Sequence, residues 1–159
     1  MVKYAETGIV FREFPDEVTL AINLSNCPHR CKGCHSPHLQ QDIGTELTEE
    51  KLSELIDHYK DRITCVGFMG GDADIEGLVS LMSFVRMKHP KLNIGWYSGY
   101  DDLKGVTDED TLSWLENCLD YLKLGPYIEK LGGLDKKTTN QKLFKRTVGN
   151  SWQWIPMYK

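Results

Sequence analysis

Residues 63–72 read Ile-Thr-Cys-Val-Gly-Phe-Met-Gly-Gly-Asp, a nearly continuous apolar run that ends in a Gly-Gly-Asp turn. A short run of this kind is typical of a strand that is buried on both faces, as in a parallel sheet. Amphipathic segments lie on both sides of it in the chain. The first begins after the N-cap candidate Thr48, and the second stops before Pro90. The sequence therefore predicts a buried strand between two helices.

The same alternation continues along the chain. Strands are predicted at 18–23, 92–97 and 119–124, and a third helix is predicted at 108–117 with Asp108 as its N-cap. Alternating strands and helices indicate right-handed crossovers and a parallel sheet. The units are too few for a closed eight-stranded barrel, which needs about 200 residues or more. We therefore expect an α/β fold: an open, partial (βα) barrel of mostly parallel strands.

The pattern weakens after Gly125-Pro126. We expect a short irregular C-terminal extension, in which 143–148 and 152–155 are candidates for short strands. The apolar segment 152–155 either covers the sheet as a last strand or docks a partner. Because the chain contains no repeat, linker or low-complexity tract, we expect one domain over residues 1–159.

Composition excludes several classes of function. The net charge is −4 and the basic residues are scattered, so nucleic acid is not an expected partner. The apolar runs are far shorter than the roughly 20 residues of a membrane span, so no membrane is expected either. The first six residues lack the apolar core of a signal peptide, and five cysteines are an odd number for a disulfide framework. We expect a cytoplasmic protein whose thiols are free or bound to metal.

Three cysteines stand close together after the first predicted strand. Cys27, Cys31 and Cys34 form a C-x3-C-x2-C pattern on a stretch without helical or strand periodicity, which Pro28, Gly33 and Pro37 shape into a loop. Thiolates are soft ligands suited to iron–sulfur clusters or zinc. With a [4Fe–4S] cluster, three irons would take thiolates and the fourth would stay open for a small molecule.

Zinc is the alternative. A structural zinc site needs four ligands, and no second cysteine pair stands nearby, although His29, His35 or His38 could supply the fourth ligand. The spacing and the missing second pair favour the cluster. Cys65 and Cys118 lie within or beside predicted strands and are interpreted as core thiols.

A second candidate element lies where the next two strands end. Gly70, Gly71 and Asp72 follow the buried strand, and two glycines allow a ligand to approach the backbone closely. Ser98, after the third predicted strand, could bond a ribose or a carboxylate. Because the carboxyl ends of parallel strands share one edge, we expect these residues to lie beside the cysteine loop. A plain tight turn is the alternative for the two glycines.

The segment Cys-Pro-His-Arg-Cys-Lys-Gly-Cys-His at 27–35 resembles the cluster loop of the radical S-adenosylmethionine enzymes. The loop, the Gly-Gly-Asp turn and the aromatic segment 97–100 occur in this order in the activating components of anaerobic ribonucleoside-triphosphate reductases. Gly-Pro-Tyr-Ile-Glu at 125–129 and Thr-Thr-Asn-Gln at 138–141 also resemble that family. The resemblance covers about residues 18–146.

The resemblance implies a [4Fe–4S] cluster on Cys27, Cys31 and Cys34, with S-adenosylmethionine as the second cofactor. It implies reductive cleavage of S-adenosylmethionine to a 5′-deoxyadenosyl radical, after reduction by a flavodoxin-like donor. The radical would take a hydrogen atom from a glycine of the large glycyl-radical subunit of anaerobic ribonucleotide reductase. The residues expected at the cofactor are Gly33, Cys34, His35, Gly70, Gly71, Asp72 and Ser98.

The chain departs from the wider superfamily at two positions. Many members carry an aromatic residue, which contacts the adenine, where this chain has Gly33, so His35 becomes the candidate for that contact. The Gly-Gly turn often carries glutamate, and Asp72 has a shorter reach. Related activases also have a lysine and an aspartate on a later strand near the cofactor, for which Lys123 and Asp120 are candidates. The alternative is that both are ordinary polar residues at the strand edge.

Two other functions remain open at this point. One is a radical enzyme that acts on a small molecule, such as a deazapurine-forming ring-contraction enzyme, which usually needs extra residues to enclose its substrate. The other is a zinc-binding interaction module without catalysis.

Overall fold

The computed structural model describes residues 1–147, 149 and 151–158. In these ranges it contains eight strands and three α-helices, and no helix has the length and apolar character that a bilayer crossing requires. The strands are β1 (Lys3–Val10), β2 (Thr19–Leu24), β3 (Thr45–Glu46), β4 (Cys65–Met69), β5 (Asn93–Tyr97), β6 (Tyr121–Leu124), β7 (Lys142–Arg146) and β8 (Trp152–Ile155). The helices are α1 (Glu49–Tyr59), α2 (Ile75–Lys88) and α3 (Glu109–Cys118), with short 3-10 turns at Pro37–Gln40 and Lys60–Arg62.

The fold is α/β, and all eight strands form one sheet in the order β3-β1-β2-β4-β5-β6-β7-β8. The four central strands, β2, β4, β5 and β6, are parallel to their neighbours. The helices α1, α2 and α3 lie in the successive connections between these strands. The carboxyl ends of the central strands therefore share one edge of the sheet, and the cysteine loop, the Gly-Gly-Asp turn and Ser98 follow them there.

The prediction of mostly parallel strands is wrong for the sheet as a whole. Of its seven strand pairings, three are parallel and four are antiparallel. The antiparallel pairings lie at the two flanks: β1 pairs with β2 and β3 with β1 on one side, and β7 pairs with β6 and β8 with β7 on the other. The sheet does not close, since β3 and β8 are its edges. Its description as a partial barrel stays a prediction.

The prediction of an irregular C-terminal extension is also wrong, because β7 and β8 continue the sheet as an antiparallel pair. The predicted strand at 143–148 corresponds to β7, and Val148 lies outside the described residues. The strand at β1 was not predicted. These flanking strands mix polar and apolar residues and are only partly buried, so their strand character depends on pairing with a neighbour rather than on a strong apolar pattern.

The predicted helix caps are confirmed. The hydroxyl of Thr48 accepts a hydrogen bond from the backbone N–H of Lys51, and the carboxylate of Asp108 accepts one from Thr111. The three helices pack their apolar sides on one face of the sheet. The main core lies between these layers and includes Leu20, Ile22, Leu52, Ile56, Val66, Phe68, Leu78, Met82, Ile94, Trp96 and Leu115.

The opposite face of the sheet is covered by a side chain from the loop between β1 and β2. Phe14 is fully buried and lies over Gly67 of β4 and Gly95 of β5, which are register partners. A Cβ atom on Gly67 would lie 2.7 Å from the Phe14 ring. Tyr97 and Tyr121 contact the other sides of the ring, at centroid distances of 5.2 Å each. The two glycines therefore create the space for a second, smaller core.

Candidate metal centre

The cysteine loop leaves the carboxyl end of β2 and returns to β3 over residues 25–44. Its path is held by backbone hydrogen bonds, among them the bond from the N–H of Cys27 to the carbonyl of Leu39 at 2.9 Å. Arg30 and Gly33 have positive φ angles, +48° and +75°, so the chain curls at both positions. The curled backbone turns the loop back on itself across the edge of the sheet.

The three loop thiols are free and partly exposed. Burial raises the pKa of the Cys27 thiol, and the negative charges of Asp72, Cys31 and Cys34 raise it further. The backbone N–H of His29 opposes this by hydrogen bonding to the sulfur. Because a metal ligand must be a thiolate, nearby positive charge is needed to hold all three sulfurs ionised together. A bound metal centre supplies that charge.

Asp72 connects the loop to the sheet. Its Oδ2 atom lies 2.5 Å from Nε2 of His29 and accepts a hydrogen bond from the backbone N–H of Gly99 at 2.8 Å. Its Oδ1 atom accepts a bond from the Ser98 hydroxyl at 2.9 Å. Both Asp72 and Ser98, which were predicted to contact the cofactor, are thus bonded to each other within the chain. Their contacts with a cofactor stay predictions.

The two glycines of the turn are required by the local backbone and packing. Gly70 and Gly71 have φ angles of +104° and +96°, which residues with a Cβ atom rarely adopt. A Cβ atom on Gly71 would lie 2.9 Å from side-chain carbons of Leu24 and Leu78. The indole N–H of Trp96 donates to the carbonyl of Gly70 at 2.7 Å. Packing against β2 and α2 therefore accounts for Gly71, and the positive φ angle accounts for Gly70, before any ligand is considered.

Lys123 extends its ammonium group into this region from β6. Its Nζ atom donates to the carbonyls of Ser98 and Gly125, at 3.0 Å each, and lies 5.4 Å from the centre of the Tyr97 ring. Burial lowers the pKa of Lys123 to about 8, although the negative charge of Asp72 and of the loop thiols opposes the change. The lysine therefore places a buried positive charge on the protein side of the cysteine loop.

The Gly-Pro-Tyr-Ile-Glu segment covers the end of the loop. The side chain of Glu129 occupies the space in front of Gly33, where a Cβ atom would come within 3.2 Å of it. The ring of His35 contacts the ring of Tyr127, with 5.0 Å between the centroids. The sequence indicated this segment only through the family resemblance and suggested no role for it. Gly33 itself has a φ angle of +75°, which residues with a Cβ atom rarely adopt, so the backbone favours glycine at this position.

A cavity of about 490 Å³ opens beside the third cysteine. A second cavity, of about 520 Å³, lies at the opposite edge of the sheet and is not lined by any cysteine. The first cavity, unlike the second, is therefore adjacent to one of the candidate metal ligands. Residues lining it include Arg12, Cys34, His35, Tyr97, Lys123 and Tyr127.

A comparison with protein families agrees with this geometry. A family model described as a 4Fe-4S single cluster domain matches residues 17–144. The chain belongs to this 4Fe-4S single cluster domain family. It is therefore an iron–sulfur protein. Searches of curated proteins and of solved structures returned no match.

The donor set fits the 4Fe-4S cluster that the family implies. Among the described residues, no three His, Cys, Asp or Glu side chains converge closely enough to hold a single metal ion. A zinc site requires that convergence, because four ligands meet at one tetrahedral ion. The thiolates of a cubic cluster bind different irons and do not share a point. Three soft, partly exposed thiols on one curled loop are a donor set that suits such a cluster.

The two remaining cysteines lie elsewhere. Cys65 is fully buried at the start of β4, at the opposite edge of the sheet from the cysteine loop, which confirms its interpretation as a core thiol. Cys118, at the end of α3, is only partly buried, so the same interpretation is wrong for it. Its position at a helix end, rather than within a strand, leaves one side of it near solvent.

Two polar residues at the last parallel strand, β6, were candidates for the cofactor site. Of these, only Lys123 lines the same cavity as Cys34. Asp120 precedes β6 and bonds Arg86 at 2.7 Å, Arg146 at 3.2 Å and the backbone N–H of Ile94 at 2.8 Å. These partners hold it at the amino end of the sheet. Asp120 therefore joins helix α2 to strands β5 and β7 and has no part in the metal centre.

Proposed function

We propose that this 4Fe-4S protein cleaves S-adenosylmethionine reductively, with Cys27, Cys31 and Cys34 each binding one iron of the cluster. The observation that carries the proposal is a loop with three partly exposed thiols beside a cavity of about 490 Å³. Three ligands leave one iron of a cubic cluster without a thiolate. Cys65 is fully buried away from the loop and does not supply a fourth ligand.

The environment of Lys123 favours the binding of a ligand with a negatively charged group in this cavity. Its side chain is buried, and none of the residues that the structure describes forms an ion pair with it. A buried ammonium without a carboxylate partner carries a desolvation cost that a bound anion would offset. We propose that Lys123 bonds the carboxylate of the methionine moiety, while His35 and Tyr127 border the adenine.

When bound and reduced by an external donor such as a flavodoxin-like protein, the cluster would supply one electron to the sulfonium, releasing methionine and a 5′-deoxyadenosyl radical. The chain's residues bind and orient the cofactor and limit the access of water. The hydrogen-atom donor in the proposal is a glycine of the large subunit of anaerobic ribonucleotide reductase. A protein substrate suits the site because the three loop thiols are partly exposed.

The test is anaerobic reconstitution with iron and sulfide, followed by reduction, addition of S-adenosylmethionine and assay of 5′-deoxyadenosine. We expect product from the wild type and none from Cys31→Ala, with Cys65→Ala as the matched control that retains activity. Lys123→Met should keep the cluster and raise the KM for S-adenosylmethionine by a factor of ten or more, since a charge-assisted hydrogen bond contributes about 1.5–3 kcal/mol. Absence of product from a fully loaded, reduced wild type, even with the reductase subunit added, would refute the proposal.

A glycyl radical on the reductase subunit, detected by electron paramagnetic resonance, would identify the partner. Cleavage of S-adenosylmethionine without that radical would favour the second candidate, a radical enzyme for a small molecule. Stoichiometric zinc without iron after anaerobic purification would favour the interaction module.

A further inference from the structure

One hydrogen-bond network ties the cysteine loop to the sheet. The side chain of Asp72 is 2% exposed and that of His29 is 15% exposed. His29 lies within the cluster loop, two residues from Cys27 and two from Cys31. Asp72 follows β4, and its other partners, Ser98 and Gly99, follow β5. Three chain segments therefore meet at one buried carboxylate.

We infer that His29 and Asp72 are positioning residues that fix the cysteine loop to the carboxyl ends of β4 and β5 and thereby keep the cluster bound. The inference rests on the proposed ligand set but does not depend on cleavage of S-adenosylmethionine. It assigns the Asp72 carboxylate a role in holding the protein's own loop.

Three groups border the His29 ring. The ring contacts Tyr100 edge-on, with 4.6 Å between the centroids and 84° between the planes. On another side it lies against Gly99, where an added Cβ atom would come within 2.5 Å of His29 Cδ2. The Asp72 carboxylate lies within hydrogen-bond distance of the Nε2 atom of the ring. The His29 ring is thus bordered by Gly99, by the Tyr100 ring and by the Asp72 carboxylate.

A second His–carboxylate pair in the chain, His38 and Glu6, differs from the His29–Asp72 pair in its exposure to water. His38 lies near the end of the cysteine loop and bonds Glu6 at 2.9 Å, but both side chains are about half exposed. An exposed pair of this kind contributes little, because water competes for both groups. The buried His29–Asp72 pair contributes more to stability, because a buried carboxylate without a hydrogen-bond partner raises the free energy of the folded state. His38 is therefore a matched control for His29.

The loop needs such an anchor because its three ligands lie outside regular strands and α-helices. Ordering free loop residues around a cluster costs conformational entropy, and a loop that is already anchored loses less. Outer contacts that orient ligands typically change metal affinity by 10–100-fold when removed. We expect the same range for the loss of the His29 contact, with little change in the sheet or the helices.

The experiment compares the wild type, His29→Ala, His29→Gln and His38→Ala after anaerobic reconstitution. Iron and sulfide per chain are measured first, and then the rate at which an iron chelator removes the cluster. We expect loss from His29→Ala to be 10–100 times faster than from the wild type. Glutamine keeps an N–H donor, so His29→Gln should lie closer to the wild type, and His38→Ala should match it.

Urea unfolding of the metal-free chains separates positioning from folding. A His29→Ala variant that loses stability but releases its cluster at the wild-type rate would overturn the inference, because the pair would then be structural only. If His29→Ala does not fold, Gly99→Ala takes its place, since the added methyl group displaces the ring and leaves Asp72 intact. Wild-type release from a folded Gly99→Ala chain would equally overturn it.

Failure of this inference is distinguishable from failure of the proposed function. Release rates are measured without S-adenosylmethionine, so a wild type that cleaves nothing leaves the inference standing. A Cys31→Ala variant that retains a full, stable cluster would refute the ligand set and the inference together.

Discussion

Lys123 keeps an ammonium group almost completely out of water, and this has a measurable effect on stability. Burial lowers its pKa from 10.5 to about 8, so the folded chain binds fewer protons than the unfolded chain between these two pH values. Stability rises with pH wherever the unfolded state binds more protons. The penalty for burying the charge is therefore full below pH 8 and disappears as the pH rises towards 10.5.

The size of this effect follows from the two pKa values. Since one pKa unit corresponds to about 1.4 kcal/mol, a fall from 10.5 to about 8 corresponds to a penalty of about 3 kcal/mol. The buried tyrosines and thiols change stability in the opposite direction at high pH, because burial raises the pKa values of Tyr97, Cys27 and Cys65. The Lys123 contribution must therefore be measured as a difference from a variant without the ammonium group.

The assay is urea unfolding of the reduced, metal-free chain at intervals from pH 7.5 to 10.5, for the wild type and Lys123→Met. We expect the free energy of unfolding of the wild type, relative to the variant, to increase by about 3 kcal/mol across this range. Lys137→Met, at an exposed position, is the control and should show no such trend. A difference between wild type and Lys123→Met that stays flat across this range would refute the reasoning, because the ammonium would then be solvated in the folded chain.

Three further results are expected. Phe14→Ala should lower the free energy of unfolding by about 3–5 kcal/mol in urea, against a negligible change for the exposed Phe11→Ala, and similar values for both would contradict the second core. Cys65→Ala and Cys118→Ala should retain the iron content of the wild type after reconstitution, and loss of iron from either would add a ligand to the set. Thr48→Ala should cost about 1 kcal/mol in the same unfolding assay through loss of the α1 cap, and no change would mean that another group replaces it.

The strongest local patterns were sufficient to predict the centre of the molecule. The apolar run 63–72 and its neighbours correspond to β4, β5 and β6, and the caps at Thr48 and Asp108 begin helices where expected. Strands buried on both faces carry continuous apolar runs, so their signal does not depend on distant partners. The flanking strands lacked such a run. Their pairing depends on free backbone edges offered by β2 and β6, which no local pattern reveals.

The sequence by itself determined where a metal centre would form, since C-x3-C-x2-C places three soft ligands on one short loop whatever the rest of the chain does. It also identified the turn at Gly70–Asp72 as a neighbour of that loop, because parallel strands end on a common edge. Only the tertiary structure decided how the polar groups pair: His29 with Asp72, Glu129 over Gly33, and Lys123 rather than Asp120 beside the thiols. Side-chain partners separated by 25 to 96 residues depend on where strands bring them and on which groups burial forces to pair.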